Sequence, residues 1–124
     1  MPALNFKKQF AAAVEAGKKR QTIRAERKQP IWLGDTIYLY TGMRTKQCRL
    51  LSVAICSHKA SITISKRRKV KINGREISLE QMNLLAMDDG FTHFKPLGDF
   101  FEEVHGLPFH GQIIRWKTIR ESMP

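Results

Sequence analysis

The residues best suited to chemistry lie in one short stretch, Gly17 to Arg24, which reads GKKRQTIR. Four of its eight residues are cationic, and one, Thr22, carries a hydroxyl group. An amine at Lys19 beside that hydroxyl can hold a phosphate, or it can act as the base that activates a nucleophile. The stretch is therefore the predicted functional site, with Lys19, Thr22 and Arg24 as its candidate reactive side chains.

The stretch stands between a predicted helix and a predicted strand. Apolar residues at helical spacing predict a helix from about Phe6 to Ala16, with Asn5 as its N-cap. Gly17 follows as the residue that ends the helix, because glycine readily adopts the left-handed backbone found there. Alternation predicts a short strand over residues 22–24, which sends its first and last side chains to one side and Ile23 to the core.

The rest of the chain alternates between strand and helix patterns. A capping-box pattern at Ser78 and Gln81 predicts one helix, and Pro96 suits the first turn of another that ends at Gly106. Further strands are predicted at residues 36–40, 48–56, 61–65, 70–72, 75–77 and 112–117. We expect an α+β fold: a single domain over residues 1–124, built as a small mixed or antiparallel β-barrel with flanking helices.

Two of these strands, residues 36–40 and 48–56, are predicted to pair as an antiparallel hairpin. In the second strand, strict alternation would turn Leu51, Val53 and Ile55 toward the core.

A second hairpin, at about residues 65–78, carries much of the positive charge. Asn73-Gly74 between alternating segments predicts a tight turn that places Val70 opposite Ile77 and Lys71 opposite Glu76. The ribbon can grip a nucleic-acid backbone, or it can be an edge hairpin whose lysines discourage aggregation. In the first case the contacting residues are Lys66, Arg67, Arg68, Lys69, Lys71 and Arg75.

The overall charge points to a polyanionic partner. Lys and Arg number 22 against 11 for Asp and Glu, which gives a net charge of +11 and an isoelectric point near 10.1. Nucleic acid is the commonest polyanion that such a protein binds, and a single-stranded form is compatible with the pattern. Solubility alone is the alternative explanation for the charge.

Other classes of protein fit the composition poorly. No apolar run approaches about 18 residues, and the start of the chain reaches Lys7 and Lys8 without an apolar signal region, so we expect a cytoplasmic protein without a membrane partner. Cys48 and Cys56 lie too far apart on one strand for a disulfide and are expected to be buried thiols. No metal-ligand spacing is present, and we expect no metal or other cofactor.

Four residues of the central stretch also resemble a family motif. Gly17, Lys19, Thr22 and Arg24 fill the positions of G-x-K-x-x-(E or T)-x-R, the hallmark of the ASCH domain. This domain is a branch of the PUA-like superfamily of small β-barrels that bind RNA or modified nucleobases. Further landmarks that match span nearly the whole chain: Gly34-Asp35, Tyr40-Thr41-Gly42, Asp89-Gly90-Phe91 and Trp116.

The resemblance implies a cleft floored by the hallmark and closed by the loop around Asp89. Gly17 and Arg24 would then bind substrate, and Phe91, in that loop, is the best candidate to stack on a base. The implied function is binding of RNA or of a modified nucleobase. A fold of this kind does not by itself fix the activity.

Two enzymatic alternatives come with the same resemblance. Some small bacterial members are amidohydrolases that deacetylate N4-acetylcytidine, and their lysine, threonine and later carboxylate correspond here to Lys19, Thr22 and Asp89. The carboxylate is an aspartate where a glutamate is expected, which shortens its reach. Other members are described as ribonucleases, so a single-strand ribonuclease is the second alternative. Whether the protein is an enzyme stays open at this point, and either reaction would be metal-independent.

Amide hydrolysis places a demand on Lys19. To deprotonate Thr22, its pKa must fall well below the ordinary value of about 10.4 through burial or cationic neighbours. A carboxylate at Asp89 would act in the opposite direction, unless it is itself protonated and serves as the acid.

Overall fold

The computed structural model describes residues 2–119 and shows seven strands and three helices in that range. In chain order they are β1 (Ala3–Phe6), α1 (Lys8–Glu15), β2 (Gln21–Ala25), β3 (Thr36–Thr41), β4 (Arg49–Ile64), β5 (Val70–Ile72), β6 (Arg75–Glu76), α2 (Leu79–Asp88), α3 (Phe94–His105) and β7 (Phe109–Thr118).

The strands form one mixed sheet organised around β4. This 16-residue strand pairs antiparallel with β3, β5 and β7, while β1 adds to β3 in parallel. Strand β2 pairs with β7, and β6 pairs with β5. The α+β class with a mixed sheet is as predicted. The expected closed barrel is not seen, because the described strands at the ends of the sheet, including β2 and the two-residue β6, do not pair with each other.

The first correction concerns the start of the chain. Residues predicted to cap and begin the first helix instead form β1, in which Leu4 and Phe6 are buried and Asn5 is exposed. The helix is shorter than predicted and begins at Lys8, with Lys7 at its N-cap. A four-residue strand carries too little local pattern to compete with a helical reading, and its stability comes from pairing with the distant β3. Gly17, at φ 76°, follows the end of the helix as predicted.

The second correction concerns β4. Two strands predicted separately are one continuous strand, and only Leu51 of the three expected inward residues is buried. Opposite β3, Leu50 pairs with Tyr40 and Ser52 with Leu39, so one extra residue is inserted on the β4 side. Such a β-bulge shifts the alternation, and Ala54 and Cys56 face the core from there on. Cys56 is a buried free thiol, whereas Cys48, before the strand, is exposed and not buried as expected.

The second half of the chain follows the sequence pattern closely. Lys71 lies opposite Glu76 across a turn in which Asn73 (φ 51°) and Gly74 (φ 82°) are left-handed. Both hydrogen bonds of the capping box at Ser78 are present.

Two apolar clusters lie on the sheet, and the candidate site lies where they meet. One is packed under α1 and includes Phe6, and the other is packed under α2 and α3 and includes Phe101. The ring of Phe10 joins them through edge contacts with Phe91 and Phe100, at centroid distances of 5.5 and 6.0 Å. Of the helices described, none is long and apolar enough to cross a membrane.

Gly111 provides a test of the strand packing that supports the site. It pairs with Ala25 of β2, and a Cβ atom there would clash with the carbonyl oxygen of Arg24 and lie 2.6 Å from Cζ of Phe109. We expect Gly111→Ala to lower the free energy of unfolding by about 2–4 kcal/mol, because backbone cannot move aside as a flexible side chain can. Denaturant unfolding measures the loss.

Gly98→Ala is the matched control for this substitution. Gly98 lies within α3, and its nearest neighbour, the Arg68 side chain at 3.0 Å, is flexible. Alanine also favours the helix, so stability should stay within about 1 kcal/mol of the parent. Equal losses at both glycines would contradict the packing described here.

Candidate functional site

Strand β2 positions the central side chains of the site. Ile23 joins the cluster under α2 and α3, while Thr22 and Arg24 lie on the other side of the strand, as the alternation predicted. Thr22 is 5% exposed and Arg24 is half-buried. The strand is held by antiparallel pairing with β7, in which Thr22 lies opposite Ile114.

A cleft of about 300 Å³ opens beside β2. It brings together residues from distant parts of the chain, with aromatic rings and polar groups in one cavity. The aromatic lining residues are Phe6, Phe10, Phe100 and Phe101, and the central polar ones are Lys19, Thr22, Arg24 and Asp89. The structure therefore places all three predicted catalytic residues on one cavity.

The most unusual feature of the cleft is a buried pair of opposite charges. Lys19 and Asp89 are 3% and 5% exposed, and the Lys19 Nζ atom lies 3.4 Å from Asp89 Oδ1. The same Nζ donates to the main-chain carbonyl oxygen of Asp89 at 2.5 Å, and it lies 5.0 Å from the ring centroid of Phe10. Gln21 Nε2 donates to Asp89 Oδ1 at 3.2 Å and to the Leu85 carbonyl at 3.3 Å. These contacts fix the end of α2 against the start of β2.

Burial dominates the protonation chemistry of this pair. It lowers the pKa of Lys19, although the charge of Asp89 and a hydrogen bond to it act in the opposite direction. It raises the pKa of Asp89 to about 6, against the opposing effect of Lys19. Desolvation disfavours both charged forms, so the pKa values of the two residues lie closer together than those of free side chains. Amide hydrolysis requires a lowered pKa at Lys19, and burial shifts the pKa in that direction.

Thr22 and Arg24 form a second polar unit. Arg24 Nε donates to Thr22 Oγ1 at 3.0 Å, and Nη2 donates to the main-chain carbonyl of Asn5. The guanidinium carbon lies 4.9 Å from the ring centroid of Phe6. Burial lowers the pKa of Arg24 to about 10, still well above neutral, so its charge remains. A cation held against Thr22 Oγ1 stabilises negative charge on that oxygen.

Two predicted substrate-binding residues lie outside the lining of the cleft. Gly17 follows the end of α1, where its carbonyl accepts a hydrogen bond from Arg20 Nε at 2.8 Å. Phe91 packs against Phe10 and Phe100, with centroid distances of 5.5 and 5.6 Å. It thus contacts two rings of the cleft without lining it, and a stacking role at Phe91 remains only a prediction.

The basic hairpin does not line the cleft either. Arg68 is engaged by α3, since its Nη2 atom lies 2.8 Å from Asp99 Oδ1 and 3.5 Å from Glu102 Oε2. Lys69 Nζ lies 3.9 Å from Glu76 Oε2. The other predicted backbone-binding residues, Lys66, Arg67, Lys71 and Arg75, are exposed. Arg68 therefore has a structural partner, while the exposed four fit either interpretation of the hairpin.

Sequence reasoning missed two residues that organise the site. Gln21 is 1% exposed and holds Asp89. It directly precedes the predicted strand, and its spacing of two residues from Ile23 was the available signal that it faces the core. Asn5 accepts from Arg24 through its carbonyl and from the Met43 amide through Oδ1 at 3.0 Å. It was hidden by the assignment of its segment to a helix cap. In residues 2–119, no group of three or more His, Cys, Asp or Glu side chains is placed to hold a metal ion.

Comparison with known proteins bears on the fold. No protein-family model matches the chain, and no curated protein matches it. Crystal structures of two variants of ZmASCH from Zymomonas mobilis, one serine-to-alanine and one tyrosine-to-phenylalanine, do match. Their TM-scores are 0.57 and 0.56 over 93% of this chain, at 15% and 14% identity. The chain has the ASCH fold.

The likeness to ZmASCH extends to the fold alone at this level of identity. The chain spans 66% and 67% of the two matched structures, so about a third of each lies outside the comparison. The ASCH fold expected from the hallmark residues is thus confirmed by the structural similarity.

The buried carboxylate predicts an unusual dependence of stability on pH. The folded state raises the pKa of Asp89 from 3.8 to about 6, so it binds this proton more tightly than the unfolded chain does. The stabilisation is fully present below pH 3.8 and is lost as the pH rises to about 6. Relative to Asp89→Asn, the parent should lose about 3 kcal/mol across this window.

Denaturant unfolding of both proteins from pH 4 to 7 measures this difference. The control is Asp88→Asn, which removes the neighbouring exposed carboxylate but keeps Asp89, so its stability should decline with pH as that of the parent does. A constant difference between the parent and Asp89→Asn across the range would show that the carboxylate is not held as described.

Proposed function

We propose that the protein binds a nucleobase, carried by RNA or by a modified nucleoside, in the cleft beside β2. The observation that carries this proposal is the combination of aromatic rings with buried polar groups in one cavity of about 300 Å³. Nucleobases are flat aromatic molecules with hydrogen-bonding edges, and proteins recognise them by stacking and by hydrogen bonds to those edges. The ASCH fold and the net charge of +11 are compatible with such a ligand.

The polar groups of the cleft suit the edge of a cytosine. Lys19 and Arg24 are donors for its ring nitrogen and carbonyl oxygen, and the Asp89 carboxylate is an acceptor for its exocyclic amine. Because these groups are already ordered by contacts with Asn5, Gln21 and one another, little side-chain entropy is lost on binding.

Hydrolysis of N4-acetylcytidine is the second candidate, favoured by the position of Lys19, Thr22 and Asp89 on the same cavity. In this reaction Thr22 Oγ1 attacks the acetyl carbon while Lys19 takes its proton, and Arg24 stabilises the oxyanion. Protonated Asp89 then donates to the leaving nitrogen, which releases cytidine. Water hydrolyses the acetyl-threonine ester and yields acetate.

The geometry ranks binding ahead of hydrolysis. In this structure Lys19 Nζ is directed at Asp89, so the amine would have to turn toward Thr22 before it could act as a base. Binding requires no proton transfer between Thr22 and Lys19.

Binding is tested by titrating the labelled protein with cytidine and N4-acetylcytidine and following amide chemical shifts. We expect the amides of β2 to respond, and Arg24→Gln to weaken affinity about 10-fold through loss of a charged donor. The control is Lys18→Gln, an exposed neighbour outside the cleft, which should bind as the parent does. Shift changes confined to other surfaces would contradict the proposal.

Hydrolysis is tested by following acetate release from N4-acetylcytidine. If the second candidate holds, Thr22→Val should reduce turnover by about 10³-fold or more, because it removes the nucleophile while keeping the side-chain shape. Turnover that survives this substitution would exclude Thr22 as the nucleophile. Binding without turnover in the parent would leave nucleobase binding as the function.

A further inference from the structure

A groove larger than the cleft adjoins it. It measures about 570 Å³ and shares Asn5, Arg24, Ala25 and His105 with the cleft. Because four residues line both cavities, a ligand seated in the cleft can continue directly into the groove. Arg24 stands at the boundary between the two.

The groove is strongly positive. Its lining includes Arg24, Arg27 and Arg44 and no aspartate or glutamate. Arg27 Nη1 donates to the Ala3 carbonyl at 3.3 Å, which anchors the guanidinium, while Arg44 is exposed. Within residues 2–119 neither Arg27 nor Arg44 forms an ion pair, in contrast to Arg49, Arg68 and Arg115. Three arginines in a lining without an acidic side chain make a site for an anion.

The loop that carries Arg44 is held in place. Arg44 itself is left-handed at φ 66°, a conformation that costs a non-glycine residue free energy and is enriched at functional sites. On either side of it, the Met43 amide donates to Asn5 Oδ1 and the Thr45 amide donates to the Gly42 carbonyl, both at 3.0 Å. The side chain of Arg44 is thus presented by an ordered loop.

We propose that this groove binds the phosphate of a nucleotide whose base occupies the cleft. Arginine is the residue best matched to phosphate, because its planar group donates two parallel hydrogen bonds. The inference rests on the proposed function and narrows it: the ligand is a phosphorylated nucleotide or a nucleic-acid strand rather than a free nucleoside. In this proposal the phosphate nearest the base contacts the groove rather than the basic hairpin, because no residue of the hairpin lines either cavity.

The test compares the affinities of cytidine, cytidine 5′-monophosphate, cytidine 3′-monophosphate and inorganic phosphate, measured by calorimetry at fixed ionic strength. We expect at least one monophosphate to bind about 10- to 30-fold more tightly than cytidine and inorganic phosphate. The two monophosphates distinguish which end of the nucleotide enters the groove.

The variant Arg27→Gln with Arg44→Gln should reduce that ratio to about 1. The matched control, Lys8→Gln with Lys117→Gln, removes the same net charge from exposed positions outside both cavities and should keep the ratio. Arg44→Gln alone, at an exposed residue, should lower the ratio partway even if the double variant folds poorly. With a short oligocytidylate, the double variant should also flatten the slope of log affinity against log salt by about 1.

The outcomes separate this inference from the proposed function. If cytidine binds and neither monophosphate binds more tightly, the phosphate site is wrong and nucleobase binding stands. If neither cytidine nor a nucleotide binds, both are wrong. If Arg67→Gln with Lys71→Gln removes the ratio while the groove variant keeps it, the hairpin binds the phosphate and the inference is overturned.

Discussion

A lysine ammonium and an aspartate carboxylate that meet away from water constrain everything around the cleft. Neither Lys19 nor Asp89 can be buried alone, because an unpaired charge in the interior costs several kcal/mol. Each therefore fixes the position of the other, and Gln21 adds a hydrogen bond that leaves Asp89 little freedom. The result is that the end of α2 is bound to the segment preceding β2, and the aromatic rings from α1 and α3 pack around the junction.

The distribution of charge follows from how the few acidic residues are used. Asp99 and Glu102 contact Arg68, Asp88 contacts Arg115, and Glu15 contacts Arg49. These pairs lie away from the cleft and the adjoining groove. The groove where β1, β2 and the loop after β3 come together is, by contrast, lined by three arginines and by no acidic side chain.

Local sequence patterns predicted correctly those structural features that depend on interactions between neighbouring residues. Gly17 ends a helix, residues 22 and 24 share a side of a strand, and Asn73-Gly74 makes a tight turn, because each depends on a few adjacent residues. The pairing of Lys19 with Asp89 was expected only through the ASCH resemblance, since 69 residues separate them in the sequence and no local signal connects them.

Features decided by distant contacts were missed for the same reason. Strand β1 exists because β3 pairs with it, and the bulge in β4 depends on its register against β3. Phe91, expected over the cleft, packs against Phe10 and Phe100 of the lining and is not itself part of that lining. The groove was invisible in the sequence, since Arg27 and Arg44 belong to separate loops that only the fold brings together.

Strand β2, which carries Thr22 and Arg24, has β7 as its partner in the described sheet, and Gln21 lies opposite Arg115. The residues of the hallmark are thus synthesised well before the strand that orders them. Contacts between such distant segments form slowly, because a long loop must close before they are made. On the ribosome, the cleft can assemble only after residues 109–118 have emerged, so a nascent chain carries the motif long before it has a pocket.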